Sequence, residues 1–299
     1  MKTLLFGSIL LSATLIADVN TVTPYLGSIS YDNSSAKSLK DDAKFAGFYS
    51  SSGNLDHLWE FSYNYLDISY KDTLNIDNLK QHDLTLIYNA YQERYMYKIG
   101  GHYISNNEDI SFRDLGSGFV GIVGVAGYTW FEKNKLTYGL DAYFSFYKDA
   151  HNDLNLLNTQ NVNVAQATPY LSYNSIVSTE SSNTIMLKAN IISASDYIDS
   201  NYFSFEISDT FFYNKFYATL KYIGGKMKSA VTDSGFIVFN TKDLMKDSYG
   251  AKLGYTFQPN ISADISYTIN NYEEYNAATL QLLPEGSRSI AVFSFNYTF

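Results

Sequence analysis

Residues 249–269 read Tyr-Gly-Ala-Lys-Leu-Gly-Tyr-Thr-Phe-Gln-Pro-Asn-Ile-Ser-Ala-Asp-Ile-Ser-Tyr-Thr-Ile. Tyr249, Ala251, Leu253, Tyr255 and Phe257 alternate with Gly250, Lys252, Gly254 and Thr256. After Gln258-Pro259-Asn260 the alternation resumes, with Ile261, Ala263, Ile265, Tyr267 and Ile269 set against Ser262, Asp264, Ser266 and Thr268. Successive side chains of an extended chain point to opposite faces, so each run is a strand with one greasy and one wet face. The connection between them is that of a hairpin. The greasy face belongs either to the core of a soluble sandwich or to the lipid side of a membrane barrel, and this hairpin alone does not choose.

The same period recurs along the chain, as at 136–146 and 185–191, and predicts strands over 22–31, 42–51, 56–68, 81–91, 94–105, 118–131, 136–148, 162–175, 183–193, 202–212, 216–227, 247–257, 261–271 and 287–299. The face of the second strand, Lys44 to Ser50, is ambiguous from sequence. Connections after the second, fourth, sixth, tenth and twelfth strands are short, as in Gln92-Glu93, Lys133-Asn134-Lys135 and Tyr213-Asn214. Those after most odd strands are longer and polar, the longest over 228–246. This alternation is what a membrane barrel with short turns at one end and long loops at the other produces, and a soluble sandwich gives no reason for it. The expected fold is therefore an all-β transmembrane antiparallel up-and-down barrel of about fourteen strands.

Composition agrees. The chain holds 28 Tyr, 20 Phe and 2 Trp at a mean hydropathy of only −0.18. A soluble domain would have to bury those rings, whereas a barrel shows them to lipid and gathers Tyr and Trp at the interfaces. No run approaches the roughly 18 continuous apolar residues of a membrane helix. A formal charge of −9 argues against nucleic acid as a partner. The absence of cysteine excludes disulfides and thiolate metal sites. At the N-terminus, Met1-Lys2 leads into Leu4, Leu5, Phe6, Ile9, Leu10, Leu11, Leu15 and Ile16, with Ala17 before Asp18. This predicts a cleaved signal peptide over 1–17 and a single domain over 18–299.

The chain ends with Phe293, Phe295, Tyr297 and Phe299 interleaved with Ser294, Asn296 and Thr298. This resembles the closing strand of Gram-negative outer-membrane barrel proteins. The resemblance implies that Phe299, Tyr297 and Phe295 are read by the barrel assembly machinery, that the protein resides in outer-membrane lipid, and that both termini and all short turns face the periplasm. The strand count resembles that of the fourteen-strand monomeric porins, which implies a monomer.

With the greasy parity outward, the charged residues facing the lumen are Glu60, Asp83, Lys98, His102, Asp141, Lys188, Glu206, Lys221, Lys252, Asp264 and Arg288. They either line a pore or pair with one another. Two-residue turns at Gln92-Glu93 and Tyr213-Asn214 set Asp83 opposite His102 and Glu206 opposite Lys221, and set Leu86 opposite Ile99 on the lipid side. Lys188, Lys221, Lys252 and Arg288 lie in the second half of the sequence, and Glu60, Asp83 and Asp141 in the first, which predicts a transverse field across the lumen. No N-terminal hatch is expected, so any constriction comes from a loop, and 228–246, with the apolar Phe236-Ile237-Val238-Phe239, is the candidate; its alternative is a hairpin extension above the membrane. Asp209 falls on the lipid parity, for which a bulge or an early strand end is the expected cause. Gly118, Gly121, Gly124 and Gly127 read as small positions in a curving wall.

No metal-ligand spacing or phosphate-binding glycine motif appears. Of the four histidines, His82 and His102 share neighbouring strands and His151 stands near Asp153, without an inward serine beside them. Neither an enzyme nor a cofactor is expected. The leading function is passive diffusion of small hydrophilic solutes. The alternatives are a hydrophobic-substrate barrel, like the hatch-bearing fatty-acid transporters, and a structural or adhesive barrel with ligand-binding loops.

Overall fold

A computed structural model describes residues 19–32, 40–54, 56–70, 77–107, 116–151, 159–195, 199–240, 243–273 and 285–299. The expected export segment 1–17 and Asp153 lie outside the described residues.

The strands are β1 (Val19–Tyr31), β2 (Lys40–Gly53), β3 (His57–Tyr70), β4 (Leu79–Gln92), β5 (Tyr95–Asn106), β6 (Ser117–Phe131), β7 (Asn134–His151), β8 (Thr159–Ile176), β9 (Ser181–Ala194), β10 (Asn201–Tyr213), β11 (Phe216–Met227), β12 (Val231–Thr232), β13 (Ile237–Val238), β14 (Leu244–Gln258), β15 (Ile261–Glu273) and β16 (Gly286–Thr298). All but β12 and β13 form one closed antiparallel wall of fourteen strands, sealed by β1 against β16 with Tyr25 opposite Ser294 and Tyr31 opposite Arg288. Phe299 completes the seam, donating its N–H to Asn20 O at 2.9 Å, and its ring stacks on Tyr297. Each wall strand overlaps one of the fourteen stretches picked out by period 2. In β2, Phe48 packs outside the wall against Phe61 while Tyr49 turns inward to Glu60, which settles its face.

The turns differ by one residue from the sequence reading. Gln92 pairs with Tyr95, Phe131 with Asn134, Tyr213 with Phe216 and Gln258 with Ile261, so the turns are Glu93-Arg94, Glu132-Lys133, Asn214-Lys215 and Pro259-Asn260. The first residue of three of them takes a positive φ, 51° at Glu93, 55° at Glu132 and 53° at Asn214. Asparagine tolerates that region far better than the tyrosine it would otherwise fall on. The ladders at Glu93-Arg94 and Asn214-Lys215 consequently slip by two residues, which changes partners but not faces. Thr85, not Asp83, stands opposite His102, Gly101 rather than Ile99 stands opposite Leu86, and Ser208, not Glu206, stands opposite Lys221.

Outside, the wall is a belt of exposed apolar side chains, including Leu26, Ile99, Leu220, Leu253 and Ile265. Near the short turns it carries Trp59, Tyr95, Trp130, Tyr213, Phe216, Phe257 and Tyr297. An apolar surface of this extent is suited to hydrocarbon, with an aromatic girdle at one interface. Asp209 sits on this belt. Its ladder is unbroken from Ile185 across to Leu220, and β10 continues to Tyr213, so neither a bulge nor an early strand end accounts for it. Nothing in the structure explains this carboxylate.

Candidate functional site: the lumen and its inserted hairpin

Inside the barrel the two halves differ. Toward the long connections, many inward side chains are apolar and buried, among them Ile104 on β5, Val120 and Ile122 on β6, Val162 and Val164 on β8, Ile192 on β9 and Ile223 on β11. Water does not wet this lining, because the segment between β11 and β14 fills it. β11 breaks register between Gly224 and Met227, and the chain then folds back into the lumen. Ala230 packs among Ile104, Val162 and Ile192, and Val231 among Ile87, Val120, Ile122 and Tyr143. Val231 pairs with Val238 and Thr232 with Ile237, making a two-rung hairpin of β12 and β13. The tip, Asp233-Ser234-Gly235, has φ of 47°, 61° and 107°. A Cβ on Gly235 would lie 2.4 Å from Ile122 Cδ1.

Polar contacts fix the hairpin to opposite walls. Gln166 on β8 acts as one rung of a ladder: its Nε2 donates to Val231 O at 2.7 Å, and Val231 N donates to its Oε1 at 2.8 Å. Asn240 Nδ2 donates to Gln81 Oε1 at 2.9 Å and to Gly116 O at 3.1 Å. Phe236 meets Tyr49 edge-on, with ring centroids 5.4 Å apart. At the end of the segment, Asp243 Oδ2 accepts from Lys40 Nζ at 3.4 Å and Arg288 Nη1 at 3.2 Å, and all three side chains are buried.

Toward the short turns the interior is polar and in part open to water, although Lys98, Asp141, Glu206 and Asp264 are buried. The Lys252 side chain is 44% exposed and that of Lys221 26%. The hairpin tip reaches into this half, where Lys221 Nζ lies 3.0 Å from Asp233 Oδ1 and 3.4 Å from Glu206 Oε2. Lys188 Nζ meets Glu206 Oε1 at 3.1 Å, and Lys252 Nζ meets Asp264 Oδ1 at 3.4 Å. Lys221, with Lys188 and Lys252 adding to it, holds the Asp233 carboxyl below the usual carboxylate range.

All eleven charged residues singled out from sequence project into the barrel, and most have found partners. Lys98 Nζ lies 3.0 Å from Asp141 Oδ2, reaching across Gly124, which stands between them in the ladder. A Cβ there would lie 2.3 Å from Asp141 Oδ1, so the carboxylate would have to turn aside. Glu60 accepts from Tyr49 Oη at 2.7 Å and Asn89 Nδ2 at 2.6 Å. Asp83 accepts from Asn64 and Gln81, and His102 Nε2 stands 3.9 Å from it while Nδ1 meets Thr85 Oγ1 at 2.8 Å. Asp264 accepts from Tyr217 Oη at 2.9 Å.

The transverse field inferred from sequence is thereby largely cancelled. Lys188, Lys221 and Lys252 face Glu206, Asp233 and Asp264, and Arg288 faces Asp243. Two of those carboxylates, Asp233 and Asp243, come from the inserted segment, which a strand-parity reading does not cover. Lys40, Gln81, Gln166 and Asn240 escaped that reading too. Lys40 lies beyond a break in the β2 ladder, and the others are uncharged or belong to the insertion. Among the described residues no cluster of His, Cys, Asp and Glu is fit to hold a metal ion.

No protein-family model and no curated protein matches the sequence. Solved structures do resemble the fold. The toluene transporter TodX of Pseudomonas putida aligns over 96% of this chain and 92% of its own, at 9% identity and a TM-score of 0.55. A FadL homologue of Pseudomonas aeruginosa aligns over 96% and 91%, at 9% identity and 0.53. The monoaromatic hydrocarbon channel CymD aligns over 98% and 91%, at 10% identity and 0.51. What the chain shares with them is the closed fourteen-strand barrel of outer-membrane proteins.

Proposed function

We propose that the protein is an outer-membrane channel for small hydrophilic solutes, held shut by the segment between β11 and β14. The observation that carries this reading is the division of the lumen. A hairpin packed on apolar lining fills the half next to the long connections, while the half next to the short turns is polar and in part open to water. In this reading the chain is exported, sits as a monomer in Gram-negative outer-membrane lipid with the open half toward the periplasm, and presents β16 to the barrel assembly machinery. The interior carboxylates and lysines hold the hairpin and water and carry out no reaction.

Planar-bilayer recording of the refolded protein tests it. The full chain is expected to stay closed or flicker, and a variant with 229–242 replaced by a Gly-Ser linker to show stable conductance steps. A silent deletion variant, shown to be folded, refutes the reading. A hydrophobic-substrate channel is the second reading, favoured by the apolar lining around Ile104, Val162 and Ile192. It predicts that the deletion variant accelerates toluene entry into vesicles more than sugar entry.

A further inference from the structure

The tip of the inserted hairpin places a carboxylate where the wall supplies excess positive charge. Lys188, Lys221 and Lys252 converge on the lumen, and among the described residues two wall carboxylates, Glu206 and Asp264, answer them. Three lysines against two carboxylates leave the wall one positive charge in surplus, and Asp233 of the hairpin supplies the balance. The contact is not buried: the Asp233 side chain is 44% exposed, so lumen water reaches both partners. The tip is also conformationally costly, because Asp233 and Ser234 both take φ in the left-handed region that non-glycine residues avoid.

We propose that Lys188, Lys221 and Lys252 form a binding site for a small monocarboxylate solute, occupied in the closed barrel by the hairpin's own Asp233. A carboxylate entering through the open half makes the same charge-assisted hydrogen bonds to Lys221, displaces the tip and favours withdrawal of the hairpin. Differential binding of this kind is what a ligand needs to shift a two-state equilibrium. The proposal rests on the hairpin acting as the closure, and it names the solute that opens it.

The chain has no cysteine, so Ala230→Cys, at a position fully buried beneath the hairpin, creates a single thiol that reports withdrawal. Labelling by a membrane-impermeant thiol reagent is followed as propionate replaces chloride at constant ionic strength on the open side. In the otherwise unaltered chain the rate should rise saturably, by about tenfold, the equivalent of one modest ion pair. Asp233→Asn should raise the rate without propionate and abolish any further response. Lys252→Gln, which leaves the Lys221 contact in place but removes the surplus positive charge, should raise the starting rate in part and blunt the response. A rate that ignores propionate, or one that responds equally in all three proteins, overturns the proposal. A silent deletion variant in bilayers defeats the channel reading and leaves this test standing; unmoved labelling defeats the carboxylate site and leaves the channel standing.

Discussion

Asp243 should hold the end of the hairpin more strongly than any other single side chain. Its Oδ2 meets Lys40 of β2 at 3.4 Å and Arg288 of β16 at 3.2 Å, straddling the seam strand β1, and all three side chains are at most 6% exposed. Asp243→Asn keeps the shape and removes the charge, leaving two buried cations facing an amide. Removing one partner of a buried ion pair costs about 3–5 kcal/mol. The lower end applies here, because Lys40 also stands over the Tyr31 ring at 5.7 Å and Arg288 over Tyr272 at 5.4 Å, contacts that remain and solvate the cations in part. Once the hairpin withdraws, water reaches Lys40 and Arg288, so the penalty falls on the closed conformation alone. About 3 kcal/mol then shifts the equilibrium toward the open form on the order of a hundredfold. Labelling of Ala230→Cys should accelerate correspondingly, and single-channel records should show long openings. A rate within about twofold of the unaltered chain, in protein shown to be folded, would mean that Asp243 does not hold the closure.

Gln166→Leu removes the side-chain rung and strands the Val231 N–H and C=O at a buried site; at about 1–3 kcal/mol per group, labelling of Ala230→Cys should rise at least about tenfold. An unchanged rate contradicts the role given to Gln166. Gly124→Ala puts a Cβ against Asp141 Oδ1, so the carboxylate must turn and its pairing with Lys98 loosen, and the urea midpoint of the lipid-inserted barrel should fall by an amount equivalent to about 1–3 kcal/mol. Asp209→Leu exchanges an outward charge for a side chain that lipid solvates, and folding free energy into vesicles should improve by about 1 kcal/mol; a loss of stability would show that the carboxylate has a partner. Acid should open the barrel. The Asp233 carboxyl is held low chiefly by Lys221, so its contribution to closure is complete above the ordinary carboxylate value of about 4 and is lost as pH falls through the lowered one. Open probability should therefore be flat from neutral to about pH 4 and rise below it, with a smaller rise in Asp233→Asn.

The wall was legible because lipid and water impose opposite demands on alternate residues, and that contrast survives in any strand touching both. In β15, Ile265, Tyr267 and Ile269 face out while Asp264, Ser266 and Thr268 face in, and the reading needed no tertiary information. Pairing partners were less legible. A two-residue slip leaves every face unchanged, so hydrophobic pattern cannot detect it, and only the φ preference of Asn214 over Tyr213 carried the correct register. The Glu206 and Lys221 contact survives the slip only because lysine is long enough to reach diagonally across the ladder at 3.4 Å.

The hairpin's destination was hidden by the assumption that a barrel interior is wet, and the strands that contradict that assumption are the ones it covers. In β6, Phe119, Val123 and Val125 face lipid while Val120, Ile122 and Ala126 face inward, so the strand is apolar on both sides. β8 shows the same inward pattern at Val162 and Val164, yet turns polar from Gln166 onward, and Gln166 is the residue that grips the hairpin. Apolar lining in a water-filled pore would be costly, at about 25 cal/mol for each Å² left wet. Two-sided apolar strands confined to one end of an otherwise alternating barrel therefore imply a dry occupant at that end. Of the connections, 228–246 has the length and the apolar run, Phe236 to Phe239, to be that occupant. Its two acids, Asp233 and Asp243, then meet Lys221 and Arg288 on the wall.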